Sequence, residues 1–256
     1  MNALESLGRL TIRFLEYAGG VAALGAEATG FILRLRVRIV ETISQAYVLG
    51  TQSTVIVLLT SLFTGMVISL ESAVQAVQYG FGNVVGGAVA YGTVRELGPM
   101  LTAVVVAGRV GSAIAAEIGS MVVTEQVEAL EALGLSPTRM LVVPRLIGLL
   151  LTLPVLTVFA DIISVGGGMW IAHAVANISP QDYITSVRQT ITMTDVGKGL
   201  LKSVVFAIII ALVGCYQGLT TRGGAAGVGK ATTGSVVLAI ILIFTANFTM
   251  SYLLFR

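Results

Sequence analysis

The sequence predicts an all-α membrane protein: an N-terminal interfacial amphipathic helix, about five transmembrane helices and one short cytoplasmic coupling helix. Composition, hydropathy and the placement of positive charge each point there. Of 256 residues, 55% are hydrophobic and only 11% are charged, and the mean hydropathy is +0.94. A soluble domain carries about 25% charged residues. A chain this poor in charge cannot cover a water-facing surface, so much of its surface must face lipid.

Residues 1–45 form the interfacial segment of a single domain, and 46–256 form the bundle. Leu4, Leu7, Ile12, Phe14 and Leu15 alternate with Glu5, Arg9, Arg13 and Glu16 at roughly helical spacing. That pattern suits a helix lying in the membrane surface. The charges, with Glu27, also interrupt any apolar core of a secretory signal. Hydropathy places spans at about 47–70, 84–118, 146–174, 199–217 and 235–255. Pro154 and the Gly166-Gly167-Gly168 run are expected to bend or thin the third.

Arg9, Arg13, Arg34, Arg36 and Arg38 precede the first span; Arg139 and Arg145 follow the second; Arg222 and Lys230 follow the fourth. The opposite side has Arg188, Lys198 and Arg256. Positive charge gathers on the cytoplasmic side, so the N-terminus is predicted to be cytoplasmic and the C-terminus periplasmic. Two small-residue ladders, Gly111-Ala115-Gly119 and Gly108-Ser112-Ala116-Ser120, allow close helix approach in lipid. They suit internal packing or a dimer seam equally.

A net charge of +2 does not point to nucleic acid. Cys215 is the one cysteine and His173 the one histidine, which excludes an internal disulfide and a cysteine or multi-histidine metal cluster. His173, ending an apolar run, is read as a polar cap or interface residue rather than a proton relay. Gly224 to Lys230 matches G-x-x-x-x-G-K, but Ala231 stands where a P-loop needs Ser or Thr. That stretch is read as a glycine-rich cytoplasmic turn, so no cofactor is expected and ATP chemistry must come from a partner.

The ionisable residues at membrane depth are the candidates for function. Arg95 and Glu96 are adjacent, about 100° apart on a helix, so they cannot simply pair with each other. Arg suits phosphate through its planar fork. Lys202 lies near the same outer side, where it could snorkel to the interface or join Arg95 in capturing a phosphate. Asp161 is expected to pair structurally with Arg109, which shares a helix face with Glu117. Between the second and third spans, Thr124 to Gly134 reads as a short capped helix, near 123–134. Val127, Leu130 and Leu133 form its apolar face and Glu125, Glu128 and Glu131 its acidic face, which suits docking onto a soluble partner.

Arg95-Glu96-Leu97-Gly98-Pro99, Ala107 to Gly119, Thr124-Glu125-Gln126 with Glu128-Ala129-Leu130, Val143-Pro144-Arg145, Lys202 to Phe206 and Gly227 to Thr233 resemble, in order, the signature stretches of MlaE/YrbE permeases. The resemblance implies a homodimer at the centre of an ABC transporter, with a cytoplasmic ABC ATPase below and a periplasmic ring of MCE-domain proteins above. Its implied cargo is phospholipid, moved between a bacterial inner membrane and the outer membrane to maintain lipid asymmetry. It implies that Arg95, Glu96 and Lys202 line a lipid cavity. It also implies that Glu125, Gln126, Glu128, Leu130 and Glu131 form the ATPase-coupling segment. The competing classes are an ion-coupled secondary transporter, a lipid-modifying enzyme and a scaffold. The first lacks a convincing internal repeat, and the second lacks clustered His, Asp and Ser.

Overall fold

The computed structural model describes residues 3–35 and 37–254, and among them the regular structure is helical. Arg36 and Arg256 lie outside the described residues, as do the side chains of Leu4, Glu5, Leu7, Arg9, Arg13 and Phe14. The helices are α1 (Ala3–Leu33), α2 (Ile39–Gln78), α3 (Val85–Gly92), α4 (Gly98–Val106), α5 (Ser112–Val123), α6 (Gln126–Ala132), α7 (Val143–Ala176), α8 (Pro180–Thr190), α9 (Met193–Leu219) and α10 (Gly224–Leu254). Among the described residues, five helical stretches are long and apolar enough to cross a membrane: 39–78, 82–123, 138–176, 193–219 and 224–254.

Each stretch outruns its hydropathy window because the helices continue past the apolar core. The fifth begins at Gly224 rather than near 235, so the predicted glycine-rich turn is the first two turns of α10. The reversal itself is made by Gly223 and Gly224, at φ +91° and +68°, values that cost a residue with a Cβ far more than they cost glycine. The third stretch is not broken by Pro154 or its glycines, and α7 runs unbroken from 143 to 176. Asn177, left-handed at φ 53°, ends it, and the His173 ring nitrogen Nδ1 lies 3.2 Å from the Ile178 carbonyl. That contact suits the cap role, one of the two roles, cap or interface, expected from the sequence.

The second stretch is one rod built from α3, α4 and α5 with two π-helical segments, Thr93–Leu97 and Ala107–Gly111. A third π segment, Thr138–Val142, leads into α7. A π turn widens the helix and re-aims the side chains that follow it.

Small residues set the packing. The buried positions of α2 include Ser53, Val57, Ser61, Gly65, Ser69 and Ala73, mostly four apart, so they form one stripe. The stripe lies along α7, where the Ser69 hydroxyl donates to the Gly168 carbonyl at 2.7 Å. Gly111 and Ala115 meet α9 at Gly214 and Gly218, and Gly119 meets Thr221 just beyond it. The first small-residue ladder is therefore an internal seam. In the second ladder Gly108 and Ser120 are exposed.

α1 lies across α7 and α9. Glu27 accepts from Thr138 Oγ1 at 2.8 Å and from Ser136 Oγ at 3.2 Å. The Tyr17 ring meets the Tyr216 ring edge-on, centroids 5.0 Å apart. Burial pushes the Tyr17 phenol up to about 12, with Gln217 pulling the other way, so it stays protonated. Ile12 and Leu15 remain 57% and 61% exposed. α1 ends at Leu33, and residues 39–45, expected in the N-terminal segment, already belong to α2.

Candidate functional site

Leu97 and Gly98 close the first π turn of the second span, and that turn places Arg95 and Glu96 at the α8 end of the bundle. The two side chains diverge, as their adjacency requires. Glu96 reaches α9 and α10. Its Oε1 lies 2.9 Å from Lys202 Nζ, it accepts from Ser251 Oγ at 2.8 Å, and its Oε2 accepts from Asn247 Nδ2 at 3.0 Å. Arg95 turns toward the start of α9. Its Nε lies 3.4 Å from Asp195 Oδ1, and its guanidinium carbon sits 4.3 Å from the Tyr91 ring centroid, a cation–π contact.

Lys202 does not snorkel. It is fully buried, and its ammonium donates to the Arg95 carbonyl at 2.9 Å and to Ser251 Oγ at 2.7 Å while facing Glu96. An ammonium has three N–H bonds, and three acceptors inside the chain occupy them. The reading of Lys202 as a cation presented directly to phosphate is therefore corrected: desolvation favours pairing it with the one carboxylate in reach. The accessible member of the pair is Glu96, whose side chain is 36% exposed.

Asp195, Tyr91, Asn247 and Ser251 were not singled out from the sequence. Asp195 had a local signal, since Thr192-x-x-Asp195 is a capping box, and both of its hydrogen bonds are formed. Asn247 and Ser251 had another: two polar residues four apart in an apolar span share a face. The amphipathic α8 was also missed. Ser179 caps it and Pro180 occupies its first turn, the usual start signal.

The expected pairing of Asp161 with Arg109 is not formed. Arg109 is exposed, and among the described residues Asp161 makes no ion pair; its Oδ1 is buried without a hydrogen-bond partner there. Glu117 pairs with Arg145, at 2.8 Å. Arg145 is 4% exposed and also donates to the Leu141 carbonyl at 2.8 Å, so it is a buried anchor rather than a solvated loop charge.

At the other end of the bundle, α6 presents Glu125, Gln126, Glu128 and Glu131 outward, while Val127 is buried and Leu130 half-buried. Leu133, assigned to the apolar face, is 75% exposed. Thr124 ends α5 instead of starting α6. Glu125 precedes α6 in left-handed geometry at φ 61°, and Gly134, at φ +73°, follows it.

Two apolar cavities lie elsewhere in the chain. One of about 610 Å³ sits between α1, α7, α9 and α10, bordered by Tyr17, Val21, Leu150 and Leu212. Another of about 400 Å³ lies under α8, bordered by Val158, Asp161, Tyr183 and Val196. Neither is lined by Arg95, Glu96 or Lys202.

Residues 42–253 match the family model described as Permease MlaE. The chain is 44% identical over 225 residues to a probable ABC transporter permease protein of Synechocystis sp., covering 88% of this chain and 86% of that one. It is 37% identical over 256 residues to a probable ABC transporter permease protein of Rickettsia typhi, covering 100% and 99%. It is also 37% identical over 225 residues to the chloroplastic protein TRIGALACTOSYLDIACYLGLYCEROL 1 of Arabidopsis thaliana, covering 88% of this chain and 64% of the plant protein. With five apolar spans and a match over most of its length, this chain belongs to the MlaE permease family and is a multi-pass permease subunit of the ABC transporter class.

Proposed function

We propose that two copies of this chain form the lipid pathway of an ABC transporter that moves phospholipid between the inner and outer membranes and so maintains outer-membrane lipid asymmetry. The observation that carries this reading is the accessible Glu96 carboxylate, set between Arg95 and Lys202 at the open face of α10. A phospholipid head group carries a phosphate and, in many lipids, an ammonium. Arg95 meets the phosphate in place of Asp195, through its planar fork. Glu96, held by Lys202, Asn247 and Ser251, faces the cationic part. Lys202 positions Glu96. The name of the plant relative refers to a glycerolipid, which supports a lipid cargo class.

The chain itself carries no ATP chemistry in this reading; a separate ABC ATPase supplies it. That ATPase docks beneath α6, where Glu125, Gln126, Glu128 and Glu131 are exposed. Arg34, Arg38, Arg139, Arg222 and Lys230 lie at that same end, and Arg188 and Lys198 at the other. Positive charge marks the cytoplasmic side, so the α6 end faces the cytoplasm of a bacterium and the α8 end faces a periplasmic ring of MCE-domain proteins. ATP binding closes the motor, α6 passes the motion to the second and third spans, and the lipid leaves toward the ring.

The test is mass spectrometry of lipid bound to the purified transporter complex. Arg95→Glu is expected to lower bound phospholipid roughly tenfold or more, the scale of one charge-assisted hydrogen bond of about 1.5–3 kcal/mol, while the complex still assembles. Normal phospholipid content and normal transport in that variant would remove Arg95 from the pathway. Glu128→Lys is expected to weaken capture of the ATPase in a pull-down, and unchanged capture would place the motor elsewhere.

A further inference from the structure

The cavity under α8 sets one carboxyl in an apolar wall. Its volume is about 400 Å³, and Val94, Val158, Met169, Tyr183 and Val187 border it together with Asp161. On α7 the wall runs from Val158 to Met169, about 16 Å at the rise of an α-helix. Asp161 stands toward the membrane interior, and α8 covers the outer end with Tyr183 and Val187. The Gly87 amide donates to Ser186 Oγ at 2.9 Å and fixes α8 over the bundle.

Among the described residues the Asp161 carboxyl makes no hydrogen bond or ion pair. Its Oδ1 is enclosed against Gly98. Its Oδ2 is not enclosed, so that oxygen is the one open to the cavity. Cations on neighbouring turns are engaged elsewhere: Arg95 by Asp195 and Tyr91, and Lys202 by Glu96. A lone carboxylate at membrane depth is costly, and such a residue normally faces a partner or a ligand pathway.

Apolar walls with one orienting polar group are the make-up of a small-molecule site, and the volume lies near the lower end of the roughly 300–1,000 Å³ that such sites span. The carboxylate selects the ligand, since it accepts hydrogen bonds and attracts positive charge. A protonated tertiary amine brings one charge and one N–H, and its three substituents are apolar. One carboxylate satisfies it. A primary ammonium has three N–H bonds and would leave some of them facing hydrocarbon, at a cost. A phospholipid head group would add a phosphate, which the carboxylate repels. We propose that the cavity under α8 binds a compact lipophilic tertiary amine in its protonated form, its N–H donated to Asp161 and its apolar body packed against Val158, Tyr183 and Val187. Val94 borders the same cavity and precedes Arg95 on the π turn. The bound amine therefore packs between α8 and the turn that carries Arg95 and Glu96.

The full chain, purified in detergent, is dialysed to equilibrium against radiolabelled N,N-dimethyl-1-adamantylamine, with protein-free detergent as the blank. About one amine per chain is expected above the blank. Two unlabelled competitors separate charge from hydrogen bonding: N,N,N-trimethyl-1-adamantylammonium has the charge without an N–H, and 1-adamantanol has a donor without the charge. Each is expected to compete roughly tenfold or more weakly than the unlabelled amine, the scale of one charge-assisted hydrogen bond. Asp161→Asn is expected to weaken amine binding by a similar factor. Retention no higher than in the blank would mean that hydrocarbon fills the cavity, and would overturn the proposal. Equal competition by all three compounds, or undiminished binding in Asp161→Asn, would overturn it as well. If Asp161→Asn does not fold, Ile184→Trp decides. Ile184 borders the cavity and is 42% exposed, so a larger side chain there narrows the cavity without entering the core. Unaltered amine binding in that variant refutes the site. None of these readouts depends on phospholipid or on an ATPase.

Discussion

Among single residues, the pair Lys202 and Glu96 shows how a charge becomes tolerable at membrane depth. An isolated ammonium or carboxylate there costs several kcal/mol. The two offset each other, and Ser251, Asn247 and the Arg95 carbonyl complete their hydrogen bonds. Replacing one member exposes the cost of the other. Lys202→Met is expected to destabilise the chain, at or somewhat below the roughly 3–5 kcal/mol typical of a fully buried pair, because Glu96 keeps some solvent access. Combining it with Glu96→Gln should recover much of that loss. A double-mutant cycle on thermal unfolding measures the coupling, and strictly additive effects would mean that the two charges do not act as a pair. Divergence of Arg95 and Glu96 was legible in the sequence, since adjacent helical residues point apart. The identity of their partners was not, because Lys202 lies 107 residues from the Arg95 carbonyl that it bonds and Ser251 lies 155 residues from Glu96.

Between elements, glycine and serine decide how closely helices approach. In lipid there is little hydrophobic gain from bringing two helices together, so contact must come from close packing and hydrogen bonds. Gly65 is such a contact: a Cβ there would lie 2.5 Å from the Ser164 carbonyl carbon. Gly92 is the contrasting case, with nothing within 4 Å of the same position. Gly65→Ala is expected to lower stability by about 1–3 kcal/mol through overpacking of α2 on α7. Gly92→Ala should raise it by about 0.5–1 kcal/mol through lost backbone entropy of the unfolded chain. Opposite shifts in the unfolding midpoint check this, and equal shifts would mean that α2 and α7 do not meet so closely. The spacing of small residues announced tight seams. It did not say which ladder was internal, because a repeat every fourth residue is the same whether the neighbour is α9 or a second copy. The π turns also escaped the sequence, since they depend on which neighbours press on the rod.

Across the whole molecule, α10 stands apart. Its buried residues Gly227, Ala231, Ser235, Ala239 and Ile243 form one narrow stripe at every fourth position. The other side leaves Val237, Ile241, Phe244, Phe248 and Tyr252 at least half exposed. In the proposed homodimer that face meets the second copy beside Glu96. Phe248→Cys is therefore expected to give a disulfide-linked dimer under mild oxidation. The native Cys215 is fully buried and should stay unreactive. Absence of any linked dimer from Phe248→Cys, Phe244→Cys and Ile241→Cys would place the dimer seam on another face.

Membrane residence, the number of spans, the acidic helix between the second and third of them and the family were readable from residue order alone. Each depends on local composition and spacing: apolar runs of sufficient length, charges at fixed offsets, and motifs kept in order. The three-dimensional fold decided that Lys202 is enclosed rather than presented, that Asp161 stands without Arg109, and that Arg145 is buried against Glu117. Such outcomes turn on which of several charges comes within reach across helices. A desolvated charge takes the nearest geometry that satisfies it, and only packing determines what is near.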